Sequence, residues 1–403
     1  METNLIKRPF YLDKIKPFIG KPLIKVVTGQ RRVGKSYLLQ QLMEEIRLLQ
    51  PNANILYLNM EFNEFEPIRT YTSLYQYVVE KLVAEVPNYL FIDEVQEIES
   101  FERCLRSLLA ENKCDIYCTG SNAKMLSGEL ATFLSGRYVQ IFVNSLSYSE
   151  FLIFHKLTDC NENLNSYLTL GGMPYLIHTG LDQEVAMEYL RNVNSTILLK
   201  DVVARENIRN VSFLENLVAY LADNTGNILS ALNISKYLKS QHLPVPTQTV
   251  LNYLRALQNA YIIHRVQRAD VKGLKIFEIG DKYYFEDLGM RNAVRPFSFR
   301  SDINKLMENV VYLHLIRNGY KVFVGFLDGK EIDFMAEKKG ERLYIQVAYM
   351  LTDQATIDRE FGNLLSIKDQ YPKLVVTLDE IAAASTYKGI RQVHLREFLS
   401  EQV

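Results

Sequence analysis

Eight residues early in the chain, Gly29-Gln30-Arg31-Arg32-Val33-Gly34-Lys35-Ser36, fit the spacing G-x-x-x-x-G-K-[ST]. Glycines let such a loop wrap a phosphate with its backbone N–H groups, and a helix starting at its end adds a positive dipole. In this pattern Lys35 reaches the β- and γ-phosphates of a nucleoside triphosphate, and Ser36 ligates Mg²⁺. Gly29 through Ser36 and the adjacent Tyr37 are therefore the expected ATP contacts. The motif does not require the side chains of Arg31 and Arg32, which can meet phosphates or a neighbouring domain.

A phosphate loop needs an acid for its metal. The apolar run Tyr89–Ile92 ends in Asp93-Glu94. Asp93 is expected to hold Mg²⁺ through water, and Glu94 to orient and deprotonate the attacking water. The competing reading of Glu94 is a solvated carboxylate at a strand end. A third apolar run closes in Thr119-Gly120-Ser121-Asn122. Ser121, with Asn122 second, is placed to read the γ-phosphate. Either can also cap a helix starting near Ala123, and the two roles are compatible. Arg137 is an arginine finger or sensor on one reading and a salt-bridged surface arginine on the other. Together these residues describe an ATPase that uses ATP and Mg²⁺.

The elements that must position them alternate. Strands are expected at Lys21–Thr28, Asn54–Leu58, Tyr89–Ile92, Cys114–Thr119 and Tyr138–Val143, and helices at Ser36–Leu49, Tyr71–Val86 and Phe101–Glu111. That order implies an α/β fold with a parallel sheet covered on both faces. From Ser147 to about Val211 the periodicity is helical, interrupted by Gly171-Gly172-Met173-Pro174. Helices follow near Phe213–Asp223, Leu229–Leu238 and Thr247–Ala260. After Lys305 helix and strand patterns return.

The segments GQRRVGKS, LFIDEVQ, TGSN and SGRYVQIFVNSLSYSEF, followed by GGMP, LLKDVVARENI and DKYYFEDLGMRNAV, resemble the bacterial and archaeal AAA-type ATPases that carry a C-terminal DUF4143 domain. The resemblance covers most of the chain. It implies a P-loop NTPase (AAA+-like) core, a winged-helix module and a C-terminal domain similar to restriction endonucleases. On this reading residues 1–146 form the core, 147–210 a helical lid, 211–290 the winged helix and 291–403 the DUF4143-type domain.

In the winged-helix segment Leu229–Leu238, a proline-marked turn and Thr247–Ala260 make a helix-turn-helix pattern, with Thr247 as N-cap. The wing is expected over His264–Lys275, where Arg265, Arg268, Lys272 and Lys275 outnumber Asp270 and suit DNA phosphates. The second helix offers only Arg255 as a cation. In the C-terminal segment Glu308, Glu331, Asp333 and Gln346 resemble the acid array of restriction-type nucleases, but the lysine position holds Ala348. A nuclease with a relocated lysine and a fold kept for structure or partner binding both remain open.

Composition narrows the rest. A net charge of −1 gives no whole-chain attraction to nucleic acid or an acidic membrane. Met1-Glu2-Thr3-Asn4 lacks the basic start and apolar stretch of a signal peptide, so none is expected, and no apolar run approaches the about 20 residues of a membrane span. The cysteines, Cys104, Cys114, Cys118 and Cys160, lack zinc spacing and read as free thiols. A cytoplasmic protein without membrane contact is expected. Its partner is DNA, another protein or a second copy of itself.

Overall fold

The computed structural model describes residues 6–126, 136–206, 208–241, 243–273, 276–277, 280–296, 298–351, 354–379 and 386–401. By packing, the chain divides into two units: Met1–Asn144 with Asn259–Tyr261, and Ser145–Gln258 with Ile262–Val403.

The first unit begins with helix α1 (Pro9–Ile15), whose Pro9 sits in the first turn where no N–H partner is needed. It continues through β1 (Ile24–Thr28), α2 (Lys35–Leu49), β2 (Asn54–Asn59), α3 (Tyr71–Lys81), β3 (Asn88–Asp93), α4 (Phe101–Ala110), β4 (Asp115–Gly120) and β5 (Tyr138–Phe142). The strands lie in the order β2-β3-β4-β1-β5, each pair parallel. Burial on both faces explains the unbroken apolar run Tyr89–Ile92 of β3, and in β1 the one interruption, Lys25, is buried and paired with Asp115. Helix α2 buries Leu38, Leu39, Leu42, Met43 and Ile46, the stripe its spacing dictates. Helix α3 stops short of the expected Val86. Leu82 turns extended, and the Asn88 side chain takes up backbone groups of Val83 and Val86. Because the strands are parallel, the ends of β1, β3 and β4 share one edge of the sheet, where open α/β sheets bind ligands.

The second unit holds α5 (Tyr148–His155), α6 (Asn161–Leu170), α7 (Gln183–Ile197), a π-helical stretch (Leu198–Ala204), α8 (Val211–Asp223), α9 (Ala231–Ser240) and α10 (Thr247–Asn259). Strands β6 (Ile263–Val266), β7 (Arg268–Asp270) and β8 (Lys282–Phe285) follow, then α11 (Leu288–Val294) and α12 (Phe299–Arg317). The chain ends with β9 (Lys321–Leu327), β10 (Lys330–Lys338), β11 (Glu341–Ala348), α13 (Gln354–Leu365), β12 (Lys373–Thr377), β13 (Thr386–Tyr387), β14 (Ile390–His394) and α14 (Leu395–Ser400). A seven-stranded sheet runs β13-β14-β12-β11-β10-β9-β7, and β6 pairs with β8 in a separate antiparallel ribbon.

The glycine and aromatic motifs that carried the resemblance are packing devices of this unit. A side chain at Gly172 would collide with the Leu146 carbonyl, and one at Gly289 with the Leu170 carbonyl. The Asp287 carboxylate accepts from Gly172 N (2.7 Å) and Met290 N (2.9 Å), so it caps α11 and pins the Gly171-Gly172 bend.

The expected wing is formed in part, with Ala269 bridged antiparallel to Ile276 and Arg268 O accepting from Phe277 N, but its described cations have partners. Strand β6 pairs with β8, while β7 joins β9 in the larger sheet. Arg265 is paired with Asp281 (2.8 Å) and Lys272 with Asp328 (2.8 Å). The Arg268 guanidinium lies over the Phe277 and Phe326 rings. Lys275 lies outside the described residues. Helix α10 begins at Thr247 itself, with Pro246 O accepting from Thr249 N, so Thr247 is not its N-cap. Arg255 is exposed on that helix. Among the described residues no helix is long and apolar enough to cross a membrane.

Candidate functional site

The loop between β1 and α2 is tightly built. Gly29 lies so close to the Val143 carbonyl that a Cβ would collide with it. Gly34 caps α2 with φ 94°, a conformation that favours glycine. Lys35 is only 4% exposed, and its Nζ donates to the loop's own carbonyls, Gly29 O (3.1 Å) and Gln30 O (3.0 Å). Val33 is buried in the core. Arg31 reaches Glu61 (3.1 Å), and Arg32 is exposed with φ 69°. Tyr37 is 57% exposed on the first turn of α2.

Asp93, at the end of β3, is buried and shares hydrogen bonds with the hydroxyls of Ser36 and Thr119. Burial pushes its carboxyl up, against those two bonds and Lys35. The expected metal pair, Ser36 and Asp93, is thus brought into contact. Glu94 follows in a left-handed conformation (φ 55°), with its N–H on Thr119 Oγ1 (2.9 Å). Its Oε2 accepts from Ser121 Oγ (3.1 Å) and from the Gln96 amide, and its Oε1 lies 3.8 Å from Lys35 Nζ. Burial works to raise its pKa. Lys35, Arg31, Gln96 and Ser121 outweigh that and hold it below the ordinary glutamate value. Glu94 is therefore a buried, ionised carboxylate rather than a solvated one.

Sequence reasoning missed Gln96, Thr119 and Arg8 as site residues. Gln96 stands inside the LFIDEVQ segment, two places past the acid it holds, and Thr119 directly precedes the Gly120-Ser121 turn. Arg8 carries no motif signal. Asn122 is buried, and its carbonyl accepts from Met125 N. Arg137 is exposed, and its backbone carbonyl pairs with Ile24 N at the start of β1. Among the described residues it forms no ion pair, so the salt-bridged reading gains nothing.

The second acid array is brought together, but around a lysine. Lys282, on β8 and 2% exposed, lies 3.0 Å from Glu308, 2.8 Å from Glu331 and 3.6 Å from Asp333. Tyr284 also donates to Glu308 (3.0 Å), and Asp333 accepts from Val347 N (2.8 Å). Gln346 turns its Oε1 toward Asp333 N (3.4 Å). An ammonium group stands where a divalent cation would have to lie. Among the described residues no cluster of His, Cys, Asp and Glu is arranged to hold a metal ion.

The phosphate loop, by contrast, fits a polyphosphate and its cation. Both polar atoms of the buried Gln30 side chain lack partners, and the Lys35 ammonium rests on loop carbonyls that an anion can replace. Asp93, desolvated and raised, would gain from a nearby cation.

Residues 21–152 match the AAA_14 family, described as an AAA domain. Residues 161–301 match DUF8612, a domain of unknown function. That region differs in name and place from the DUF4143 domain expected over 291–403. Among solved structures the chain is similar to the Aeropyrum pernix ORC1 protein in complex with DNA, at 13% identity and TM-score 0.30, over 72% of this chain and 93% of that one. It is also similar to AMPPCP-bound DnaA from Aquifex aeolicus, at 15% identity and TM-score 0.31, over 63% of this chain and 89% of that one. Neither likeness is close enough to bear on function. A Methanocaldococcus jannaschii protein described as uncharacterized is 28% identical over 82% of this chain and 75% of its own. A protein of Haemophilus influenzae, also described as uncharacterized, is 35% identical over 94% of both chains. The chain belongs to the family of this Haemophilus influenzae protein, and its first unit carries an AAA-type P-loop domain.

Proposed function

We propose that the chain is a Mg²⁺-dependent ATPase, converting ATP and water to ADP and phosphate. The observation that carries this reading is the meeting of Lys35, the Ser36–Asp93 pair and the ionised Glu94 at the edge where β1, β3 and β4 end. The loop N–H groups from Gln30 to Ser36 would cradle the phosphates, with Lys35 exchanging its carbonyl partners for phosphate oxygens. Ser36 and Asp93 would hold Mg²⁺, whose charge, when bound, neutralises what develops on the phosphates. Glu94 would accept a proton from the attacking water, and Ser121 orients the carboxylate that does so. Hydrolysis would then change the contacts of the second unit with a partner, in the cytoplasm.

Two other readings lose support. A metal-dependent nuclease needs a cation where Lys282 stands. A DNA-binding switch worked through the wing needs cations that Asp281, Asp328 and two aromatic rings already engage. The experiment is phosphate release by the wild type, Lys35→Ala and Glu94→Gln, with ATP binding measured in parallel. Release by the wild type and loss of ATP binding in Lys35→Ala are expected. A Lys35→Ala protein that hydrolyses at the wild-type rate would sink the assignment.

A further inference from the structure

The segment before β1 reaches the phosphate loop through the Arg8 side chain. Arg8 is 4% exposed. Its guanidinium donates to Val33 O in the loop (2.9 Å) and to Asn144 O past the end of β5 (3.0 Å). The guanidinium lies 4.5 Å from the centre of the Tyr11 ring, and the Tyr11 hydroxyl accepts from Asn144 N (3.0 Å). The Arg8 backbone is itself anchored on α2. Its N–H donates to Gln41 Oε1 (3.1 Å), and Gln41 Nε2 donates to Ile6 O (2.9 Å).

A trans peptide points its C=O and N–H in opposite directions. Holding Val33 O on Arg8 therefore turns the N–H of Gly34, the residue before Lys35, the other way. Asn144 is the residue at which the first unit gives way to Ser145 of the second. A planar fork with several donors can serve two carbonyls at once, whereas a lysine ammonium is a compact point charge.

We propose that Arg8 is a positioning residue. It fixes the Val33–Gly34 peptide so that Gly34 N–H faces bound phosphate, and it ties that peptide to Asn144 at the end of the first unit. Phosphate occupancy and the geometry of the chain at Asn144 are thereby linked. This rests on the reading of the loop as a phosphate site.

The test is calorimetric binding of ATP and of ADP to the wild type, Arg8→Lys, Arg8→Met, Tyr11→Phe and Lys35→Ala, with melting of each protein in the absence of nucleotide. Both Arg8 variants should bind ATP and ADP about tenfold or more weakly, because a hydrogen bond from a charged group is lost. The factor should be the same for both nucleotides, because the loop N–H groups cradle the phosphates they share. Arg8→Lys should melt near the wild type, which separates lost positioning from lost folding. Folded Arg8 variants with wild-type affinity, beside a Lys35→Ala protein that does not bind, would overturn the role of Arg8 and leave the phosphate site standing. A wild type that binds neither nucleotide would remove both. If an Arg8 variant melts below the assay temperature, Tyr11→Phe decides. A smaller equal loss for ATP and ADP supports the tie to Asn144, and unchanged affinity overturns it.

Discussion

Ser121 Oγ lies 3.1 Å from Glu94 Oε2, and the Gln96 amide reaches the same oxygen. One carboxylate oxygen is thus held by neutral donors, while the other faces Lys35. Glu94 also occupies the left-handed region, which costs a non-glycine residue free energy that its surroundings must offset. The Thr119 hydroxyl on its N–H does part of that work. Under the proposed function this restrained, ionised carboxylate is the group that would accept a proton from water.

Glu94→Gln should therefore keep ATP binding and lose turnover by roughly 10²–10⁴-fold, the usual contribution of a general base. Single-turnover phosphate release, beside binding, checks this. Turnover within threefold of the wild type would remove Glu94 as the base.

Ser121→Ala should shift the pH dependence of turnover. A hydroxyl donating to a carboxylate favours its charged form, and here it helps to lower the Glu94 pKa. Removing it should move the acid limb of the rate profile to higher pH, with less change at pH 8 than at pH 5. An acid limb that stays in place would mean that Ser121 holds something other than Glu94.

The first unit was legible because its chemistry is written in consecutive residues. The loop, the Asp93-Glu94 strand end and the Ser121 turn each follow an apolar strand, and parallel pairing brings such strand ends together. Gln96 and Thr119 lay inside quoted segments, but only the fold shows which carboxylate each one holds. Arg8, outside every quoted segment, and Lys282, inside DKYYFEDLGMRNAV, were not legible as partners, since a lone cation says nothing about which element its side chain will lie beside. The wing's charge was misjudged for a related reason. Its positive charges were counted along the chain, while their partners Asp281 and Asp328 belong to other segments. Strands β13 and β14 and helix α14 were also unread.

Lys282→Met should destabilise the second unit by about 3 kcal/mol or more, because removing one partner leaves buried carboxylates facing each other. Glu308 and Glu331 would then lack their shared counter-charge beside a protonated Asp333, and divalent cations should raise the melting temperature of the variant. In an Asp93→Asn background, which removes the proposed cation ligand of the first unit, the chain with Lys282 in place should melt at the same temperature with and without Mn²⁺. Manganese-dependent stabilisation in that background would show that the lysine does not exclude a metal.

Asp333 gives the last expectation its sign. Burial and the neighbouring Glu308 push its carboxyl up, to about 8, against the pull of Lys282. The unfolded chain sheds this proton near the ordinary aspartate value of about 4. Between those two values the folded state binds more protons than the unfolded state, so this residue's contribution to stability falls as pH rises and levels off above the upper value. Asp333→Asn has no proton to shed, and its amide oxygen can still accept from Val347 N. The stability of the wild type minus that of the variant should therefore decline from pH 4 to pH 8. The comparison is made by denaturant unfolding at a series of pH values, because Glu308, Glu331, Lys282 and Tyr284 face Asp333 in both proteins and largely cancel in the difference. A difference that rises with pH would mean that Lys282 keeps Asp333 ionised, and that the cluster is an ion-pair network rather than a buried proton store.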